Sequence, residues 1–305
     1  MKEERSLGEG RRLAVRFFAP PDDLSPCFTT FYRCEISLPA GERLTDHLQP
    51  EWSNLRFFQG AAPEARMVSG GDVVRSRFQA TGPSSEPVRF SIGSTKFWGI
   101  GLFPLGWARF IGEPADRFAN TVWDGTAQEV FQRFVPLGHA LQSSDQSDEA
   151  DFDLITEFFR SLAPPPRDAA RILRIHEAMV DPYLVEVGKL AERAGLTTRT
   201  LERVCRRHFG FPPRLLLRRQ RLMRSLAAFM LADGKNWTET IDRHYHDQAH
   251  FVHEFHSFMG MSPSEYAHMD HPIIEAFMAN RQKVWGSPVQ TLDSPRDKPE
   301  PKSRG

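Results

Sequence analysis

The sequence predicts an α+β protein of two domains, a β-rich N-terminal domain followed by an all-α C-terminal domain. The chain has 305 residues, a length more typical of two domains than of one. Stretches such as "RLAVRFFAP" and "CFTTFYRCEISL" alternate apolar and polar residues, and turn sequences such as "SGGD" and "TGPSSEP" separate them, which indicates strands. From residue 168 to 285 the apolar residues recur with a helical period instead.

Changes in composition predict the boundaries. Residues 1–141 form the β-rich domain, with a helical pattern at its end. Residues 142–166 form a linker and connecting helix, starting with the acidic stretch "QSSDQSDEAD" and ending at "PPP". The all-α domain spans 167–270. Residues 271–305 contain a C-terminal helix and a disordered tail, "GSPVQTLDSPRDKPEPKSRG", which is rich in Pro, Ser and charged residues.

Charge is concentrated in one part of the chain. The net charge is zero, yet residues 167–234 hold 14 Lys and Arg against 7 Asp and Glu. A basic block in a neutral chain favours a polyanion partner for that block alone. A solvated arginine-rich helix face has the same composition, so composition by itself leaves both interpretations open.

Cysteine content and hydropathy exclude several classes of protein. Cys27, Cys34 and Cys205 are scattered, so they predict neither a four-cysteine zinc site nor a disulfide framework, and they favour a reducing compartment. The N-terminus "MKEERSLGEGRR" lacks the apolar region of a signal peptide. No apolar run reaches the roughly 18 residues of a membrane helix. We therefore expect a cytoplasmic protein with no membrane partner.

Residues 190–210, "LAERAGLTTRTLERVCRRHFG", combine an apolar helical rhythm with five arginines. Gly195 tolerates the positive φ that ends a helix, and Thr197 is placed to cap the next one. In that second helix, Leu201, Val204, Cys205 and His208 share one face. A helix, a glycine turn and a capped second helix predict a helix-turn-helix, whose second helix can enter a DNA major groove. A helical hairpin with a charged face is the alternative.

A second unit repeats the first at an offset of 50 residues. "FGFPP" corresponds to "MGMSP", and the capped helix "DQAHFVHEFHSF" begins after Asp247. The helix "PPRLLLRRQRLMRSLAAFML" lies between the units, and its roughly 20 residues span about 30 Å. One turn of DNA is about 34 Å, so two such units match successive major grooves.

These motifs resemble the AraC/XylS family of bacterial transcription regulators. "LAERAGLTTRTLERVCRRHFGFPPRLLLRRQRL" and "YHDQAHFVHEFHSFMGMSPSEY" carry the resemblance, which covers residues 168–268. The preceding region resembles the β-rich, cupin-like sensor domains of that family. The resemblance implies a DNA-binding domain of seven helices with two helix-turn-helix units. It also implies promoter DNA and RNA polymerase as partners, and a small effector bound by the N-terminal domain. We expect a homodimer formed through that domain.

The resemblance also assigns DNA-contacting residues by position. The first recognition helix would read bases through Thr198, Arg199, Glu202 and Arg203, and would contact phosphates through Arg206 and Arg207. The second would use Gln248, Ala249 and His253. Glutamine pairs with adenine, and alanine fits against the thymine methyl group.

The second unit departs from the family pattern. His244 stands where the family usually has a turn glycine, and the preceding stretch "NWTETIDRH" is one residue short and more polar than usual. His253 stands where arginine is frequent. These differences predict a second unit that is distorted, weaker or secondary in its contacts.

Two other groups of residues were weighed as sites. His246, His250 and His253 have a spacing that suits zinc, but the capped helix and the family pattern explain them without a metal. Trp98, Phe103 and Trp107, in an aromatic-rich strand region, line an effector cavity or belong to the core, and core is the commoner role of such side chains.

The sequence predicts neither a cofactor nor an enzyme. The glycine-rich "SIGSTKFWGIGLFPLG" lacks dinucleotide-binding spacing, and residues 1–140 contain no phosphate loop, metal motif or nucleophile elbow. Two alternatives to an effector-controlled regulator stay open. One is an effector-independent regulator whose N-terminal domain only dimerises, and the other is an enzyme with an appended DNA-binding domain.

Overall fold

A computed structural model describes residues 2–8, 10–232 and 236–295. The strands are β1 Lys2–Ser6, β2 Arg12–Phe18, β3 Phe28–Ser37, β4 Leu44–Leu48, β5 Ser53–Gly60, β6 Glu64–Met67, β7 Gly70–Arg75, β8 Phe78–Thr81, β9 Val88–Ile92, β10 Thr95–Leu102 and β11 Val122–Asp124. The α-helices are α1 Pro104–Gly106, α2 Val135–Gln142, α3 Asp148–Ser161, α4 Ala169–Met179, α5 Val187–Arg193, α6 Thr198–Phe209, α7 Pro213–Leu231, α8 Gln248–Met259, α9 Pro263–His268 and α10 Pro272–Trp285.

The described strands form two antiparallel sheets. One has the order β1-β2-β3-β10-β5-β8-β11, and the other has the order β4-β9-β6-β7. Alternate residues point inward, so Leu13, Tyr32 and Phe97 of the larger sheet share an apolar cluster with Leu44 and Ile92 of the smaller one. The predicted β-rich domain followed by a helical domain is therefore confirmed.

The two domains share one apolar cluster. Trp52 and Phe103, from the β-rich domain, lie around the ring of His176 on α4, with ring centroids 5.5 and 4.8 Å away. Phe209, at the end of α6, completes this group at 6.2 Å from His176. All four side chains are buried. Burial of this much aromatic surface between the domains stabilises their docked arrangement.

Helix α7 makes the central contact between the domains. Arg219 on this helix is fully buried, and its guanidinium lies 4.0 Å from the centre of the Trp52 ring. It donates hydrogen bonds to the backbone oxygens of Ser84 at 2.9 Å and Glu51 at 3.4 Å. Burial lowers the pKa of Arg219 to about 9, so this side chain still carries its charge at neutral pH. The cation is held by carbonyl oxygens and an aromatic face.

The helical domain has fewer α-helices than the resemblance implies. Its described residues between 169 and 268 form six α-helices, α4 to α9. At the place of the remaining helix there is one 3-10 turn, Trp237–Glu239. The Trp237 ring stacks on Phe229 of α7 at 3.8 Å, so this turn is still anchored to the core. No helix among the described residues has the length and apolar character needed to cross a bilayer.

The predicted disordered tail is wrong for residues 286–295. This segment turns back along α10, and Arg281 of that helix pairs with Asp293. Val289 and Thr291 are buried, which places the returning chain against the rest of the molecule. Local composition predicted disorder because the stabilising partners lie elsewhere in the chain. Residues 296–305 of the predicted tail lie outside the described residues. We refer to residues 271–293 as the C-terminal strap.

The buried ring of His176 predicts a measurable acid sensitivity. Burial and the nearby Arg219 charge lower the pKa of His176 from 6.5 to about 3. Below pH 6.5 the unfolded chain takes up a proton here and the folded chain does not, so folding stability falls as pH falls toward 3. Between pH 7 and pH 5 this loss amounts to about 2 kcal/mol.

His176→Leu should therefore reduce the drop in thermal midpoint between pH 7 and pH 5, as measured by circular dichroism. Every other titrating group is shared by both proteins, so the difference in slope isolates this histidine. Equal slopes for the two proteins would show that the ring is accessible to protons in the folded state.

Candidate nucleic-acid interface and internal cavity

The first predicted unit has the expected local geometry. Gly195 separates α5 from α6 with φ of 66°. The Thr197 hydroxyl accepts a hydrogen bond from the Thr200 N–H at 3.2 Å and caps α6. Gly210 ends the helix with φ of 82°. The inward face is buried and comprises Leu201, Val204, Cys205, His208 and Phe209. Cap, turn and core face thus confirm the predicted helices.

The outward face of α6 is basic and open to solvent. Arg199, Arg203 and Arg207 are exposed and make no ion pair or hydrogen bond with other described residues. Arg206 is also exposed but pairs with Glu202, four residues earlier, at 2.9 Å. Thr198 is exposed at the start of the helix. The surface therefore offers three arginines for an external polyanion, while Glu202 already neutralises the fourth.

The arginines of α7 have a different role. Arg218 and Arg221 each lie 2.7 Å from a carboxylate oxygen of Glu254, on α8. Arg224 pairs with Asp242. The basic block of the sequence therefore divides into exposed cations on α6 and cations on α7 that attach the second unit to the shared helix.

Glu254 is the centre of that attachment. Its side chain is 2% exposed, and the Tyr245 hydroxyl donates to it at 2.8 Å in addition to the two arginines. Burial alone would raise the pKa of Glu254, but the hydrogen bonds from the arginines and Tyr245 hold it below its ordinary value. The carboxylate is thus charged at neutral pH and fully engaged.

The second predicted recognition helix, α8, is also present. The Asp247 carboxylate accepts a hydrogen bond from the His250 N–H at 2.7 Å and caps the helix. Gln248, Ala249 and His253 are exposed on its outer side. The inner side is buried and includes Phe251, Phe255, Phe258 and Met259.

The turn before α8 differs from the first turn, as the sequence predicted. His244 does not adopt a positive φ. Instead its backbone N–H and its ring Nδ1 lie 2.9 and 2.8 Å from the Asp242 carboxylate. Polar side-chain contacts replace the backbone freedom that glycine supplies at Gly195. On α8, the His250 ring has its Nε2 3.3 Å from Arg221. The described residues contain no cluster of three or more His, Cys, Asp or Glu that would hold a metal ion.

The β-rich domain contacts the end of each recognition helix. A Cβ added at Gly210 would lie 3.0 Å from the Pro83 ring. A Cβ added at Gly260, which ends α8, would lie 2.9 Å from the Val68 side chain. The two glycines thus provide both a positive φ and room for close approach. Docking of both ends on one domain sets how the two helices are oriented relative to each other.

A cavity of about 110 Å³, partly open to solvent, lies between the two sheets. Most of its wall is apolar, including Ile36, Leu48, Phe58, Ala65, Val88, Phe90, Ile92 and Phe97. A polar group gathers around the buried pair of Glu51 and Arg56, which lie 2.7 Å apart. Met223 of α7 and several strap residues close the remaining side. Such a cavity suits an apolar molecule with one hydrogen-bonding end.

The aromatic residues weighed as an effector site do not lie around this cavity. Trp98 and Trp107 are fully buried in the core, and their indole N–H groups donate to Asp151 at 2.9 Å and to the Glu113 carbonyl at 2.7 Å. Phe103 borders a separate space of about 340 Å³ beside the strap. Trp98 and Trp107 therefore belong to the core, and on β10 it is Phe97, on the opposite face from Trp98, that lines the cavity.

Sequence reasoning missed the residues that connect the two domains. Arg219 lies within an arginine-rich helix, where nothing local distinguishes it from its exposed neighbours. Its aromatic partner is Trp52, an isolated tryptophan in a loop 167 residues earlier in the chain. The apolar, alternating β9 sequence "VRFSI" was the one available sign of an inward-facing wall.

Comparison with known proteins agrees with the helical part of this description. Residues 190–269 match the family model described as a helix-turn-helix domain. This part of the chain is a helix-turn-helix domain, which confirms the resemblance to AraC/XylS regulators there. No curated protein matches the chain by sequence.

Solved structures with a similar chain fold include two of ToxT from Vibrio cholerae. ToxT of strain SCE256 with a bound unsaturated fatty acid is 13% identical, with 87% of this chain and 97% of that chain covered and a TM-score of 0.40. ToxT of strain O395 bound to a methylnaphthalenyl butenoic acid is 11% identical, with 85% and 98% covered and a TM-score of 0.41. The AraC-like transcriptional activator CuxR is 10% identical, with 70% and 80% covered and a TM-score of 0.29.

The role of Glu254 predicts a large effect of its removal. Glu254→Ala leaves the half-buried Arg221 without its carboxylate, and breaking a buried pair in this way should lower the free energy of unfolding by about 3 kcal/mol. Glu202→Ala, which removes the exposed pair on α6, is the matched control and should cost less than about 0.5 kcal/mol. Urea unfolding followed by circular dichroism measures both. Equal losses for the two variants would mean that α8 is not held through Glu254.

Proposed function

We propose that this protein is a sequence-specific DNA-binding transcriptional regulator of the AraC type that acts on promoter DNA in the cytoplasm. The observation that carries the proposal is the outward face of α6. On a capped recognition helix inside a helix-turn-helix domain, Arg199, Arg203 and Arg207 project into solvent and have no acidic partner among the residues that the structure describes. Uncompensated arginines in that position suit the major groove and its phosphates.

The α6 residues divide into base and phosphate contacts by their place along the helix. The N-terminal part of a recognition helix enters the groove, so Thr198, Arg199 and Arg203 reach base edges. Arginine pairs through two hydrogen bonds with guanine. Arg207 lies one turn further along and contacts the backbone. Arg206, held by Glu202 at 2.9 Å, contributes a phosphate contact that requires this pair to open.

The second unit makes fewer contacts. Gln248 and Ala249 begin α8, where they suit an adenine and a thymine methyl group, and His253 lies one turn later. This face carries no arginine, so its contribution to affinity is smaller than that of α6. Contact with RNA polymerase then converts promoter occupancy into a change in transcription.

The β-rich domain binds the effector in the cavity between its sheets. Apolar walls and a single polar end at Glu51 and Arg56 favour a small, largely apolar molecule with one hydrogen-bonding group. Because Glu51 and Arg56 neutralise each other, the polar end favours an uncharged group over an ion. The same domain supplies the surface for homodimer formation.

Experiments distinguish two alternatives from this proposal. A regulator whose β-rich domain only dimerises would show no thermal shift with any small apolar molecule, but would lose its dimer when that domain is removed. Sedimentation of the chain with and without residues 1–140 measures the second property. An enzyme with an attached DNA-binding domain would turn over a substrate. Among the described residues, the charged groups of the cavity lining are already engaged, since Glu51 pairs with Arg56 and Arg281 pairs with Asp293.

The direct test is fluorescence anisotropy on DNA from upstream of the protein's own gene. We expect tight binding to this DNA, weaker binding to a shuffled duplex of the same composition, and a steep loss of affinity with salt. Binding that is equally weak on both duplexes at every salt concentration, with and without small apolar molecules, would contradict the proposal.

Two substitutions on α6 separate its roles. Arg203→Ala should cost about 1–3 kcal/mol on the preferred site and relax sequence preference, because it removes a base contact. Arg207→Ala should weaken all sequences alike and reduce the salt slope by about one. The two variants are matched in charge and exposure, so anisotropy on preferred and shuffled DNA compares them directly. Equal effects of both on sequence preference would contradict the assignment.

A further inference from the structure

The C-terminal strap is attached to the β-rich domain by a buried carboxylate. Asp46, at zero exposure on β4, accepts hydrogen bonds from the backbone N–H groups of Ile273 and Ile274, both at 2.9 Å. These are among the first N–H groups of α10, which have no partner within their own helix. A carboxylate there also favours the helix dipole. The strap therefore begins at a specific anchor on the β-rich domain.

The strap also forms one wall of the cavity. The Phe277 ring packs edge-on against Phe17 at 4.9 Å and Tyr32 at 4.8 Å. Further along, the Gln290 amide donates to the Glu51 carboxylate at 2.6 Å and accepts from the Thr29 hydroxyl at 2.9 Å. The strap therefore occupies both the apolar side of the cavity and its polar end.

The same strap is bound to the DNA-binding domain. The His271 ring stacks on Tyr266 of α9 at 4.2 Å, while its Nδ1 lies 3.2 Å from Asp46. The Gln220 side chain, buried on α7, donates to the Thr291 carbonyl at 2.6 Å. Residues 271–293 thus contact the cavity on one side, and the helix that joins both helix-turn-helix units on the other.

The size of the cavity makes this wall important. Its volume of about 110 Å³ is below the roughly 150 Å³ of a cavity that admits benzene. Sites for small-molecule ligands usually reach about 300 Å³ or more. A ligand of ordinary size therefore requires one wall to move. The sheets are held by backbone ladders, whereas the strap is held by side chains and one helix end.

We propose that the C-terminal strap is a latch. A ligand can occupy the cavity only when the strap is undocked, and a docked strap keeps the ligand out. Because the strap also contacts α7, its release transmits the presence of ligand to that helix. This inference rests on the proposed function, because it takes DNA binding to be the property that the latch controls. With the latch closed, the β-rich domain holds the Gly210 and Gly260 ends of both recognition helices in one arrangement. When the latch is released, the two recognition helices are no longer held in that arrangement.

The first arm of the test measures exclusion in the full chain with N-phenyl-1-naphthylamine, an uncharged and largely apolar fluorescent probe with one N–H group. Phe277→Ala loosens the latch but also enlarges the cavity that Phe277 lines, so Asp46→Ala, which removes the anchor of the strap from outside the lining, is measured beside it. Both variants should bind the probe about tenfold more tightly than the wild type. Gln290→Ala, a milder change that removes two hydrogen bonds, should act in the same direction. Gln282→Ala, on the same helix but away from the cavity lining, is the matched control and should behave as the wild type.

A further variant locates the probe. Ala65→Leu fills part of the cavity from the smaller sheet. Combined with Phe277→Ala, it should abolish the tight probe binding, and hydrogen exchange of residues 272–292 should rise when the probe saturates the wild type. Probe binding that is the same in Phe277→Ala and the wild type, or that persists with Ala65→Leu, would overturn the exclusion.

The second arm measures whether probe binding and DNA binding affect each other. If the probe changes the affinity for operator DNA by some factor, the operator must change the affinity for the probe by the same factor. We expect a factor of about five or more in the wild type, abolished in Phe277→Ala, where the latch is already open. A factor of one in the wild type would overturn the latch. A wild type that binds no DNA selectively would instead contradict the proposed function, and the probe and exchange measurements would still decide the exclusion.

Discussion

The arrangement of the molecule depends on one buried cation at the junction of its two domains. Arg219 has no carboxylate partner, and the carbonyl oxygens of Ser84 and Glu51 and the face of Trp52 stabilise its charge. These groups come together only when α7 is docked on the β-rich domain. An undocked α7 would expose the apolar ring of Trp52 and leave the cation to water. Docking is therefore a property of both domains at once, and every contact of the strap and of the recognition helices builds on it.

Around that junction, arginines of one sequence block perform two tasks. Arg218, Arg221 and Arg224 of α7 are neutralised by carboxylates of the second unit, so their charge is used in stabilising the fold. Those on α6 keep their charge for an external partner. The difference lies in their neighbours: Glu254 and Asp242 lie beside α7, whereas the carboxylate nearest to the α6 arginines, Glu202, pairs with Arg206 alone. Fewer arginines are consequently available to an external partner than the composition of residues 167–234 indicates.

Features set by local chemistry were predictable from the sequence. Thr197 and Asp247 cap their helices, and Gly195 makes its turn, because each acts on backbone groups within three residues. The weakened second turn was also visible locally, at His244. The buried hub at Glu254 was not, because its arginines lie more than thirty residues away and nothing in the helix pattern marks the charge as inward-facing.

Composition left one question open and misled on another, for the same physical reason. Trp98 and Trp107 are aromatic residues in a β region, but both lie in the core; on β10, Trp98 belongs to the core cluster and its neighbour Phe97 lines the cavity. Residues 286–295 have the composition of a disordered segment, yet Gln290 and Thr291 find partners on Glu51 and Gln220. In both cases the decisive contacts join segments far apart in the chain.

The position of the strap in the chain has a consequence for the newly made protein. Phe277 and Gln290, which form one wall of the cavity, follow both domains in the chain and are synthesised after them. Domains fold in order as the chain emerges. The β-rich domain must therefore complete its two sheets while the cavity is still open on one side. For the seconds of synthesis that remain, at about 5–20 residues per second, a small apolar molecule reaches this site without passing the strap, which in the finished protein covers one side of it.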